Sequence, residues 1–176
     1  MNGSVIRRVV GYVLSLEALL LLLPCIVALY YNEQEGYAYL ASSAICLVLG
    51  GAMSLKKPKS NVFYLKEGCV ATALSWIVLS VFGAIPFVLT GEIPHFVDAL
   101  FETVSGFTTT GASILSDVET LANCTLFWRS FTHWIGGMGV LVFILAMIPL
   151  SGGSNMNLMK AESPGPSVSK IVPKIR

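Results

Sequence analysis

Phe107-Thr108-Thr109-Thr110-Gly111-Ala112-Ser113 is the stretch on which the reading of this chain turns. It is rich in hydroxyls and small side chains, yet membrane-length apolar segments lie on both sides of it. Just before it runs a short amphipathic segment, residues 96–105, far too short to cross a bilayer. Polar backbone at membrane depth is tolerated only where it is buried in protein or lines a watery path. Small residues let backbone carbonyls face a dehydrated cation, and Gly111 permits backbone angles that would strain other residues. The order is helix, short helix, polar loop, helix, and it reads as a pore loop.

The composition supports a membrane setting. Of 176 residues, 55% are hydrophobic and 12% charged, and the mean hydropathy is +0.75. Soluble domains carry about 25% charged residues, so water is the wrong solvent for most of this surface. The net charge of +1 says little about partners, and nothing in the chain calls for nucleic acid. Cys25, Cys46, Cys69 and Cys124 lie far apart and form no CxxC pair. They read as small packing residues rather than a disulfide framework.

Working outward from the loop, the apolar runs give an all-α polytopic membrane protein. Arg7-Arg8 precede a run over residues 9–31, interrupted only by Glu17 and Pro24. This is long enough to span a bilayer; it is long for a secretory signal and lacks a good cleavage site. The polar turn at 32–36 is so short that the next run, 37–55, must return antiparallel. A third span covers 68–89, and the last covers about 126–150. The short segment repeats its apolar positions (96, 97, 100, 101 and 104) at helical spacing. Three units follow: a transmembrane hairpin over 1–60, a helix–pore-loop–helix repeat over 61–150, and a polar, Pro-containing linker over 151–176.

The basic residues set the orientation. With a cytoplasmic N-terminus, the segments 1–8, 56–67 and 151–176 are cytoplasmic and hold ten of the eleven Lys and Arg residues, all but Arg129. The positive-inside rule selects this arrangement. Glu92, Asp98, Glu102, Asp117 and Glu119 then form an outer acidic rim, able to attract cations or simply solvated.

Enzymatic chemistry finds no foothold. There is no HExxH, GxSxG or Walker A motif, and His95 and His133 are far apart without ligand companions. No covalent cofactor is called for. Glu17, the one acid within the first span, is expected to be a hydrogen-bonded or snorkelling structural residue. Arg129 is expected to snorkel or pair near the outer interface. Gly136, Gly137 and Gly139 allow close helix packing or a bend beside the loop. The loop itself is expected to line a pore, its carbonyls replacing the hydration shell of K⁺, with the negative end of the short helix favouring a cation.

These residues resemble a known family. The run Phe101-Glu102-Thr103-Val104-Ser105-Gly106-Phe107-Thr108-Thr109-Thr110-Gly111-Ala112 is similar to the first pore loop of the Trk/Ktr/HKT potassium transporters. Trp134-Ile135-Gly136-Gly137-Met138-Gly139 resembles the helix that follows it, and Lys160-Ala161-Glu162-Ser163-Pro164-Gly165-Pro166 the linker after that. The N-terminal hairpin matches the TrkH/TrkG branch. The resemblance implies K⁺ uptake across the bacterial inner membrane by a chain of four such repeats around a pseudo-fourfold axis. It also implies a homodimer gated by a cytosolic nucleotide-binding TrkA-like subunit. The filter carbonyls would belong to Thr109, Thr110, Gly111 and Ala112, with K⁺ at Thr110 and Gly111 and support from Thr108 and Ser113. Ser113 departs from the threonine more usual at its position.

One repeat of four implies the N-terminal part of a longer transporter, and one filter strand cannot surround an ion. Two alternatives stay open: a complete chain of which four copies build a cation channel, or a non-conducting membrane fragment that binds intact transporters.

Overall fold

The computed structural model describes residues 3–55 and 65–147. Within them every element of regular secondary structure is a helix: α1 (Gly3–Leu20), α2 (Leu22–Tyr31), α3 (Gly36–Leu55), α4 (Leu65–Thr90), α5 (Phe96–Phe107) and α6 (Asn123–Met147). Among the described residues, Gly3–Tyr31, Gly36–Leu55 and Glu67–Thr90 are each long and apolar enough to cross a membrane. The proposed linker, its 160–166 motif and the basic cluster at 56–59 lie outside the described residues.

The first apolar run forms two helices rather than one. Proline has no N–H to donate and its ring crowds the carbonyl four residues back, so Pro24 interrupts the ladder at Leu20. The chain turns at Leu21, whose amide still reaches Glu17 O at 2.9 Å, before α2 begins. Asn32 closes α2 in the left-handed region (φ 56°), and α3 returns antiparallel to α1, as so short a turn requires. Close approach joins these two helices: a Cβ added to Gly50 would lie 2.8 Å from Gly11 O and 2.6 Å from Ser15 Oγ. Ser43 Oγ donates across to Ala18 O at 2.6 Å.

The hairpin packs directly on the rest of the bundle, α1 against α4 and α2 against α6. The shared core holds Leu14, Leu21, Tyr39, Phe87, Phe107 and Trp128, all essentially inaccessible. Trp128 Nε1 donates to Gly83 O at 3.0 Å, and Tyr39 OH to Thr125 Oγ1 at 3.2 Å. Indole and phenol thus bury their bulk and still satisfy their polar tips. Cys46 and Cys124 are buried, Cys25 is half-buried and Cys69 exposed, all as free thiols.

The last span differs from its expected form. α6 starts at Asn123, its first half carries Thr125, Arg129, Ser130, Thr132 and His133, and it packs against α2 and α5. It breaks at Gly139, where φ is 72° and ψ 135°, a conformation glycine reaches without a Cβ penalty. Residues 148–150 of the expected span lie outside the described residues.

Candidate functional site: the α5–loop–α6 unit

Helix α5 extends two residues past its expected end, so Phe107 is its buried last residue and the loop proper begins at Thr108. Its amphipathicity is turned inside out. Phe96, Val97, Phe101 and Val104 are the exposed residues, while Ala99, Glu102, Thr103, Ser105 and Gly106 face the protein. In a membrane protein the apolar stripe meets lipid or further protein, and the polar stripe must find partners inside.

The end of α5 folds the loop back onto itself. Thr108 N donates to Val104 O, Thr109 N to Gly106 O and Thr110 N to Ser105 O, each at 2.9 Å, and Gly111 N reaches Ser105 O at 3.5 Å. The loop amides therefore satisfy the orphan carbonyls of the helix terminus. Because the peptide group is planar and trans, amides aimed at the helix turn the carbonyls on their other side away from it. Among the described residues no hydrogen bond ends on the carbonyl oxygens of Thr109, Thr110 or Gly111. Ala112 O instead accepts from Ser105 Oγ at 2.6 Å, which leaves one of its two lone pairs free.

This path needs unusual backbone angles. Gly111 has φ +75° with open space where a Cβ would stand. Thr109 also lies at positive φ, 56°, a conformation costing a β-branched residue about 1–3 kcal/mol unless its surroundings enforce it. The threonine hydroxyls add local bonds: Thr108 Oγ1 donates to Val104 O at 2.7 Å and meets Thr110 Oγ1 at 2.8 Å. All six residues from Thr108 to Ser113 are exposed on this chain.

Behind the loop, Glu102 is 1% exposed and accepts three hydrogen bonds. One oxygen takes Ser113 Oγ in a short bond and Ile114 N at 2.8 Å; the other takes Arg129 Nε from α6 at 3.0 Å. Glu102 is thus no part of a solvated rim, a correction to its expected place, while Arg129 pairs with an acid rather than snorkelling, the second of its two expected roles. Arg129 is the only Lys or Arg among positions 96–147.

Glycines set the distance between α5 and α6. A Cβ on Gly106 would lie 2.1 Å from Thr132 Oγ1, and one on Gly136 would lie 2.2 Å from Phe107 O. Gly136 therefore serves close packing, Gly139 the break in α6, and Gly137 faces Thr109 Cγ2 only at 4.0 Å. His133 makes a packing bond, its Nδ1 lying 3.0 Å from Arg129 O.

The outer turns converge on the start of α6. Glu33, from the hairpin turn, accepts from Asn123 N and Nδ2, each at 2.8 Å, and from Cys124 N at 2.9 Å. Partial burial pushes its carboxyl up, but the bonds from Cys124 and Asn123 outweigh this and hold it below the usual carboxylate range. Glu92 accepts from Ala122 N at 2.6 Å. Asp117 is absorbed in its own turn, accepting from Glu119 N at 3.0 Å. Of the expected rim, Glu92 and Glu102 are structural. Glu17 differs again: it is buried, and among the described residues neither carboxyl oxygen has a hydrogen-bond partner. It neither snorkels nor bonds as expected, and one oxygen lies beside Gly83, close to Thr103 and Phe107.

Known proteins share this chain's sequence and fold. Residues 35–175 match the TrkH family, described as a cation transport protein. The chain is 36% identical over 181 residues to the Trk system potassium uptake protein TrkG of Escherichia coli K12, covering 99% of this chain and 37% of that protein. TrkH of the same organism is 36% identical over 180 residues with the same shares covered. The crystal structure of the potassium transporter TrkH from Vibrio parahaemolyticus superposes with a TM-score of 0.75 at 30% identity, over 92% of this chain and 36% of that one. The chain thus spans little more than a third of the length of these relatives. With the family matched over four-fifths of its residues, the chain belongs to the TrkH family of cation transport proteins.

Proposed function

We propose that this chain contributes one strand of a K⁺-selective filter to a K⁺ uptake system. The observation that carries the reading is the set of carbonyls at Thr109, Thr110 and Gly111, without hydrogen-bond partners among the described residues, on an exposed loop whose amides from Thr108 to Gly111 turn back to α5. Backbone carbonyls so arranged substitute for water around a dehydrated K⁺. Ala112 adds its remaining lone pair, and Thr108 and Ser113 brace the two ends. K⁺ sits at Thr110 and Gly111, next to the negative end of α5.

One strand cannot surround an ion, so other strands complete the ring. The exposed apolar stripe of α5, continued by Trp134 and Met138 on α6, offers them a surface to pack on. The names of the relatives support K⁺ as cargo, and their greater length leaves room for further repeats; a homodimer and a cytosolic nucleotide-binding TrkA-like subunit complete the assembly. We place the chain in a bacterial inner membrane with a cytoplasmic N-terminus. The turns at 32–35 and 91–95 and the pore loop then share the outer face, in keeping with the Glu33 and Glu92 bonds to the start of α6.

The test is Gly111→Ser in the intact transporter, expressed in a host unable to take up K⁺. A side chain at φ +75° carries a backbone cost of about 1–3 kcal/mol, small for the whole fold and large for carbonyl placement. Expression is expected to persist while K⁺ uptake or preference over Na⁺ falls. Normal uptake with unchanged selectivity would mean that the loop is not the filter.

A further inference from the structure

We propose that Glu102 is a selectivity-determining positioning residue, its carboxylate fixing the exit of the pore loop through Ser113 and Ile114 while Arg129 neutralises its charge. The inference rests on the filter reading above and deepens it. Two anchors hold the loop to α5. Ser105 holds residues 110–112, through its carbonyl to Thr110 N and Gly111 N and its hydroxyl to Ala112 O. Glu102, one helical turn earlier, holds Ser113 and Ile114. The carbonyls of Thr109, Thr110 and Gly111 lie just before and within the segment that Ser105 holds, and Glu102 grips the chain immediately after it, so a shift at either anchor is passed along the loop to them.

The chemistry demands a carboxylate. Glu102 receives donors from two sides, Ser113 and Ile114 on one oxygen and Arg129 on the other. An ionised carboxylate is acceptor-only, whereas an amide must present its NH₂ on one side and so face a donor with a donor. Glu102 is also 1% exposed and Arg129 17% exposed at the side chain, so the pair adds little net charge where an ion would approach. Glu102 therefore acts on the ion through geometry rather than as a cation-attracting acid.

The experiment compares Glu102→Gln, Ser113→Ala and the exchange Glu102→Arg/Arg129→Glu with Gly111→Ser in the intact transporter. Membrane abundance and the ratio of Rb⁺ to Na⁺ uptake are read for each. Glu102→Gln is expected to lower the ratio about tenfold, the scale set by losing a charge-assisted hydrogen bond. Ser113→Ala, which removes one hydroxyl from an exposed loop, is expected to lower it less while leaving abundance intact. The exchange keeps an ion pair but offers Ser113 and Ile114 no acceptor, so it is expected to reach the membrane at wild-type abundance with the ratio still lowered. A ratio recovered by the exchange would make the pair a helix tie and overturn the proposal. An unchanged ratio in Ser113→Ala would overturn it too, even if Glu102→Gln failed to reach the membrane. Were the ratio to fall in Gly111→Ser and hold in Glu102→Gln, the filter reading would stand and this inference would fail. If both kept the wild-type ratio, the filter reading would fail with it.

Discussion

In the N-terminal hairpin, Gly11 and Gly50 bring α1 and α3 into backbone contact; in the α5–α6 unit, Gly106 and Gly136 do the same for a helix end and the helix behind it. The two regions part company in how they treat polar groups. Across the hairpin's α1–α3 contact, serine hydroxyls return to backbone carbonyls, as Ser43 does to Ala18. Its one sunken acid, Glu17, has no partner among the described residues. In the repeat, the sunken acid Glu102 has three partners drawn from the loop and α6. Close packing alone holds helices together in a membrane. Holding a loop in a strained and exposed path takes directional bonds as well. Under the proposed function, the hairpin is a buttress and the α5–α6 unit the part whose geometry matters to an ion.

Two alanines give the sharpest contrast. A Cβ at Gly136 would stand 2.2 Å from the Phe107 carbonyl oxygen, rigid backbone that must move and carry the loop with it. A Cβ at Gly50 meets Ser15 Oγ at 2.6 Å and Gly11 O at 2.8 Å, far from the loop. Overpacking of this kind costs about 1–3 kcal/mol, so both variants are expected to lose thermal stability. Only Gly136→Ala is expected to change Rb⁺ over Na⁺ uptake as well. An equal change of selectivity in Gly50→Ala would break the division between buttress and filter support.

A smaller effect is expected where the two regions meet. Glu33 ties the hairpin turn to the first amides of α6, and its folded carboxyl titrates below the ordinary range. Its contribution is thus fully present above the unfolded value of about 4.3 and is lost as pH falls through the lower folded value. Glu33→Gln is expected to cost about 1 kcal/mol at neutral pH, like the loss of a helix cap, with selectivity intact. Thermal unfolding of wild type should weaken more steeply than that of Glu33→Gln between about pH 5 and pH 3. Parallel curves for the two proteins would show that the tie contributes nothing.

The sequence carried the first three spans because they are long and nearly free of charge, and it carried the loop because hydroxyls and glycine between such spans are out of place in lipid. Its apolar spacing also identified α5 as a helix, but not which way the helix faces. Periodicity gives the stripe and leaves its sign to the surroundings, and here Phe101 and Val104 face out while Glu102 and Thr103 face in. For the same reason Glu102 read as part of a rim. Its partners Ser113, Ile114 and Arg129 lie 11 to 27 residues away, beyond any local pattern. The positive φ at Thr109 leaves no mark in the sequence, since threonine is a poor choice for it. The turn at Leu21, by contrast, was written in Pro24.

The most direct measurement is to locate the ion. The intact transporter would be prepared with Tl⁺ in place of K⁺ and its structure determined with the anomalous signal of the metal. The account predicts Tl⁺ sites bounded by the carbonyl oxygens of Thr109, Thr110 and Gly111, weakened or displaced in Gly111→Ser. Tl⁺ bound elsewhere in the pathway, with these three carbonyls turned into the protein, would contradict it.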